Sequence, residues 1–213
     1  MATYDLDEQE RLDELKTWWK RWGNLVLIAL AVVIAAAAGW RYWQNRVVSQ
    51  SLEAATVYER LTESLQAGDI KAARDAGTLL IDQYKNTAYA PRAALLLARA
   101  DVTARDLKGA QARLAWAASQ TKEPALRDLA RLRLAGVQLD LQDYAAALKT
   151  LSATHSDAYA FRFLDLKGDV LLAQGKRGEA RAAYEAAFGK VAENDPYRTI
   201  VELKLDALGG AGK

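Results

Sequence analysis

The chain has 213 residues, 51% hydrophobic and 26% charged, with 29 basic against 27 acidic side chains. That length allows one domain of ordinary size plus an appendage, and the near-balance of charge lacks the strongly basic face that nucleic acids need. Cysteine is absent, histidine occurs once and proline three times, which excludes a disulfide framework, Cys-based metal sites and thiol nucleophiles and favours helix over sheet.

Residues 1–21 form a polar leader in which Asp5, Asp7, Glu8, Glu10, Asp13 and Glu14 outnumber Arg11, Lys16, Lys20 and Arg21. Between Trp22 and Trp40 no residue is charged. A helix of about 19 residues is roughly 28 Å long, close to the ~30 Å hydrocarbon thickness of a bilayer. Trp18, Trp19 and Trp22 stand at one end; Trp40, Arg41, Tyr42 and Trp43 stand at the other. Amphipathic rings and snorkelling cations at both ends suit the headgroup level, so residues 22–43 are assigned as a transmembrane helix with aromatic boundaries. Ala36-Ala37-Ala38 also fits a signal-peptide cleavage pattern, but the long acidic leader and the length of the apolar run favour an uncleaved anchor.

Arg11, Lys16, Lys20 and Arg21 flank the N-terminal end, against Arg41 and Arg46 at the other. The excess predicts a cytoplasmic N-terminus and a C-terminal domain outside, which in a two-membrane bacterium is the periplasm. The span holds no ionisable group, so it is read as an anchor rather than a transport path. Ala31, Ala35 and Gly39 form a small-xxx-small stripe on which another helix packs closely, a pattern that Ala-rich helices also produce by chance.

Residues 44–213 read as paired helices. Helical spacing of apolar residues and turn signals predict helices over 51–66, 70–84, 88–105, 110–119, 124–141, 144–151, 158–173 and 178–192, with a last helix from Asp195-Pro196 to about Leu208. Lys108-Gly109 and Gly175-Lys176 are taken as turns, and Ser156 as an N-cap. Ala135 and Gly168 lie 33 residues apart, as do Ala147 and Ala180, and Leu151 and Tyr184; Ala100 and Ala112 continue upstream at a step of 35. This resembles the tetratricopeptide repeat, of period ~34, in which small residues let the two helices of a hairpin cross closely. The hairpin around Ala73 reads as off-step. The fold class is therefore all-α: one N-terminal transmembrane helix, then a tetratricopeptide-like α-hairpin solenoid closed by a polar last helix.

No catalytic constellation emerges, and the chain is read as a non-enzyme without metal or cofactor. His155 lies in Thr154-His155-Ser156-Asp157, and sequence neighbours cannot converge as nucleophile, base and orienting group. A lone histidine without cysteine cannot make a zinc site unless several carboxylates join it, and no His-rich helix spacing occurs; nor does a Gly-rich phosphate loop. Binding is the natural chemistry of a solenoid, whose concave face is lined by the first helix of each hairpin. The repeat alignment puts Asp101, Arg105, Leu139, Arg162, Asp165, Asp169 and Leu172 on that face. The mixed charges suggest a peptide segment or partner loop as ligand.

The layout resembles the YfgM family of ancillary translocon subunits in Gram-negative bacteria. The resemblance rests on Gly39-Trp40-Arg41-Tyr42-Trp43, Lys85-Asn86-Thr87, Ala147-Leu148-Lys149-Thr150-Leu151, and Gly168…Leu171-Leu172…Gly175 with Gly178…Ala180-Arg181. The motifs run over nearly the whole chain in the family's order, while the leader matches poorly. The resemblance implies a single-span inner-membrane protein with a tetratricopeptide-like periplasmic domain. It also implies association with the Sec translocon and with a membrane-anchored periplasmic chaperone, and a role in handing over newly translocated, still unfolded client chains. A scaffold for another envelope assembly, such as cell division or outer-membrane biogenesis, is the alternative expectation.

Overall fold

The structure, a computed structural model, describes residues 3–209, with the side chains of residue 12 and of residues 14–209. The leader residues Asp5, Asp7, Glu8, Glu10, Arg11 and Asp13 therefore have side chains outside the described set. Among the described residues every regular element is an α-helix: α1 (Thr3–Gln66), α2 (Ile70–Gln83), α3 (Tyr89–Thr103), α4 (Leu107–Gln120), α5 (Pro124–Asp140), α6 (Tyr144–Leu151), α7 (Asp157–Ala173), α8 (Arg177–Phe188) and α9 (Tyr197–Ala207). The chain divides into two compact units, residues 1–50 and 51–213, so α1 contributes to both.

In the first unit α1 runs through the apolar segment. It is the one described helix long and apolar enough to cross a membrane, with a mean hydropathy of 2.1 over its most apolar stretch. Leu25, Val26, Leu27, Ile28, Leu30, Val32, Val33 and Ile34 are all exposed. A soluble helix this apolar would bury them in a core, so the segment needs a nonaqueous surround.

In the second unit the helices pair as hairpins: the end of α1 with α2, α3 with α4, α5 with α6, α7 with α8. Each hairpin turns in the same way. Gly68, Arg105, Gln142 and Gly175 adopt left-handed backbone, with φ of 75, 63, 61 and 79°. The next residue's N–H then reaches back five residues: Asp69 to Ser64 O, Asp106 to Asp101 O, Asp143 to Gln138 O and Lys176 to Leu171 O, at 2.8–3.0 Å. These bonds satisfy carbonyls left over at the end of the first helix. In three turns that next residue is an aspartate whose carboxylate caps the second helix, accepting from Ala72, Gly109 and Ala146 N–H. The fourth has Lys176 there, without a side-chain cap.

Four residues past each cap lies a buried alanine: Ala73, Ala110, Ala147 and Ala180, each at 0% exposure. The turn residues stand 37, 37 and 33 positions apart. Two sequence expectations are corrected here. The first hairpin is in step, and the second is phased on Ala98 and Ala110 rather than on Ala100 and Ala112, because Ala98 and Ala110 are buried while Ala112 is exposed. Lys108 and Gly109 lie inside α4, not in a turn, and Gly178 lies inside α8, which ends at Phe188.

Close crossing is visible at Gly168, where an added Cβ would sit 2.3 Å from a Tyr184 ring carbon. Asp101 joins three helices, accepting from Arg74 of α2 at 2.7 Å and Arg113 of α4 at 2.8 Å. Ser156 stands at the N-cap of α7, but its hydroxyl and N–H both donate to buried Asp128, at 2.8 and 3.0 Å, tying α7 to α5 rather than capping.

Candidate functional site

The inner face of the stack follows from the phase of the repeat. Relative to Ala98, Ala135 and Gly168, the residue four positions on lies one turn further along the same first helix. These residues are Val102, Leu139 and Leu172, and Leu65 is their equivalent in the first hairpin. Val102 and Leu172 are 37% and 38% exposed and Leu139 and Leu65 half-buried. These repeat positions carry one apolar side chain per hairpin; Leu139 and Leu172 are among the residues that sequence assigned to a candidate partner-binding face.

The other predicted face residues are placed as follows. Asp101 is 1% exposed and satisfied by its two arginines. Arg105 occupies the left-handed turn, three positions beyond Val102. Both displacements follow from the two-residue phase error in the second hairpin. Arg162 is exposed and lies over the Tyr197 ring, 4.6 Å from its centroid. Asp165 is 2% exposed, and Asp169 is half-buried beside it. Lys204 of α9 brings its Nζ within 2.7–2.9 Å of all four of their carboxylate oxygens. Tyr197 Oη donates to Asp165 at 2.6 Å and Tyr184 Oη to Asp169 at 2.8 Å. Burial, then the carboxylate each phenol serves, push both phenols well above the ordinary value of 10.0. The two acids are thereby committed to holding the last helix.

The expectation of a polar last helix is corrected: Ile200 and Leu203 are exposed on it.

Among the clefts on the first three hairpins, two share a side chain. One, of about 590 Å³, is lined by Leu65, Ile70, Leu96, Arg99 and Thr103 among others. The second, of about 350 Å³, is lined by Arg99, Val102, Arg133, Gly136, Val137 and Asp140 among others. Arg99 belongs to both. Sequence reasoning missed Arg99 and Val102, although the spacing from a capping aspartate to an alanine four residues later, repeated at 37, marks the correct phase.

On the first unit, Trp18, Trp19, Trp22, Trp40, Tyr42 and Trp43 are 47–69% exposed and Arg41 is exposed. Trp18 and Trp19 rings lie 6.3 Å apart, and Trp40 and Trp43 rings 5.5 Å apart. Ala31, Ala35 and Gly39 are exposed, and an added Cβ at Gly39 meets nothing within 4 Å.

His155 stacks on Phe163 with ring centroids 4.2 Å apart, and its Nδ1 lies 3.0 Å from Ala153 O. Neighbouring Ser156 serves Asp128 instead, so the three side chains of that tetrapeptide do not converge. Among the described residues no cluster of His, Asp and Glu is placed to hold a metal ion.

Fold and surface together define a tetratricopeptide-like repeat protein with an exposed apolar helix, and residues 16–210 match the family described as "Tetratricopeptide repeat-like domain". The chain is 30% identical over 205 residues to the ancillary SecYEG translocon subunit of Haemophilus influenzae, covering 96% of this chain and 99% of that protein. It is 31% identical over 204 residues to the protein of that name from Neisseria gonorrhoeae, covering 95% and 98%. With the Escherichia coli K12 protein of that name it shares 30% over 208 residues, covering 98% and 99%. The chain belongs to the family of ancillary SecYEG translocon subunits.

Proposed function

We propose that this protein is a non-enzymatic adaptor, anchored in the inner membrane by residues 22–43, that associates with the Sec translocon and links emerging chains to periplasmic chaperones. The observation that carries the reading is the end-to-end similarity to relatives named as SecYEG subunits, at 30% identity over 98% of this chain in one case. An exposed apolar helix with aromatic residues at both ends supports the anchor. The excess of cations before the span supports a cytoplasmic N-terminus and a periplasmic repeat domain. Tethering beside the channel raises the domain's local concentration around emerging chains, so modest intrinsic affinities suffice.

The test is recovery of partners by the full chain in mild detergent, with photocrosslinkers in place of Tyr42 and Trp43. The expected result is translocon subunits together with a periplasmic chaperone. Recovery of cell-division or outer-membrane assembly proteins instead would replace the adaptor by a scaffold. A periplasm-dependent reporter fused to the C-terminus is expected to be active, and activity of a cytosol-only reporter there would reverse the orientation.

A further inference from the structure

The two clefts on the first three hairpins meet at one side chain, Arg99, which lines both. On one side of it lie Leu65, Ile70 and Leu96; on the other lie Val102 and Val137. Arg99 immediately follows buried Ala98 on α3, with cleft residues of α1 and α2 on one side and of α5 on the other. Its guanidinium is exposed and enters none of the ion pairs of the described residues. Arg133, at the rim of the second cleft, is likewise exposed and outside those pairs. Asp140 is the one acidic side chain lining either cleft.

The contrast with the end of the stack is informative. There the acids of the first helix are neutralised from within by Lys204. At the beginning Arg74 and Arg113 are neutralised by Asp101, whereas Arg99 and Arg133, which line the clefts, enter no ion pair among the described residues.

From this juxtaposition of an uncompensated guanidinium with apolar clefts on both sides, we infer that the inner face of the first three hairpins binds an extended polypeptide segment in which apolar side chains flank an aspartate or glutamate. The apolar residues fill the clefts and the carboxylate meets Arg99, whose planar fork suits a bidentate pair. Because Arg99 lies between the clefts rather than at a closed end, the segment passes through, and its carboxylate comes from a side chain rather than from a chain terminus. The inference rests on the adaptor reading, and it supplies that reading with a client chemistry.

The test uses the full chain in detergent micelles and fluorescence anisotropy with amidated peptides of about twelve residues, Leu- and Val-rich, with a central Glu, Gln or Lys. The Glu peptide is expected to bind about tenfold more tightly than the Gln peptide, an advantage that shrinks as salt rises from about 50 to about 300 mM. Arg99→Glu is expected to reverse the ranking in favour of the Lys peptide, and Arg99→Lys to retain part of the original preference. Equal binding of the three peptides would overturn the inference, as would a ranking unmoved by Arg99→Glu. So would binding that requires a free C-terminal carboxylate. Unchanged helicity and melting of Arg99→Glu verify that the fold survives. Translocon co-purification is measured on the same preparations. Its retention without peptide discrimination sinks the groove alone, whereas its absence in the unmutated chain sinks the adaptor reading.

Discussion

Gly168 shows what a single hydrogen atom decides. The Tyr184 ring lies where a side chain would begin, and that ring is 1% exposed and held by Asp169, so it has no room to yield. Gly168→Ala is expected to cost about 1–3 kcal/mol by overpacking, read as a lower urea midpoint for the repeat domain. Lys176 shows the opposite, an improvement left unmade. Its backbone, φ −84° and ψ 61°, matches the capping aspartates Asp106 and Asp143, at −86° and 70° and at −84° and 69°. Lys176→Asp supplies the missing acceptor and puts negative charge at the positive end of α8, for an expected gain of about 1 kcal/mol. A rise in melting temperature checks it, and no change would mean that α8 is capped adequately by solvent.

Among the elements, α9 depends most on one residue. Lys204 neutralises two carboxylates of α7, one of them in Asp165, which is nearly inaccessible to water. Removing one partner from such a cluster leaves buried charge uncompensated, so Lys204→Met is expected to cost about 3 kcal/mol. The loss would appear as faster amide exchange throughout α9 while α3 to α6 keep their protection. The raised Tyr184 and Tyr197 phenols set a pH dependence with a definite sign. A group whose folded value exceeds its unfolded one stabilises fully below the unfolded value, here 10.0, and loses that contribution as pH rises beyond it. Unfolding midpoints should therefore fall above pH ~10, and Tyr197→Phe should flatten that fall. The element map itself was largely legible in sequence. Apolar spacing gave α5, α6, α7 and α9 within a residue or two, since each is bounded by Pro, Asp or Gly signals. The phase of the second hairpin was not legible. Ala93, Ala94, Ala98, Ala100 and Ala104 all offer a small residue, and only packing against Ala110 selects Ala98. From that two-residue slip came the choice of Asp101, which is buried, and of Arg105, which occupies the turn, in place of Arg99 and Val102 as candidate face residues. The burial of Asp165 was hidden for a different reason: its partner, Lys204, lies 39 residues away on another helix.

The molecule as a whole joins an apolar helix to a stack of hairpins that cover one another. The composition of the first part is decisive for where the protein resides. An arginine near the centre of a bilayer costs about 2.5–3.5 kcal/mol on insertion scales. Val33→Arg is expected to reduce the share of the chain that resists carbonate extraction from membranes, while the circular dichroism of the repeat domain stays unchanged. Full resistance in this variant would argue that the segment is covered by protein rather than lipid.

The ammonium that α9 lends to Asp165 and Asp169 also fixes where such an array is able to grow. A fifth hairpin appended after Leu208 would meet an edge already taken, and one spliced between Phe188 and Pro196 would draw Lys204 off α7 and strand the buried Asp165 carboxylate. Lengthening this scaffold therefore requires the added hairpin to bring its own cation to Asp165.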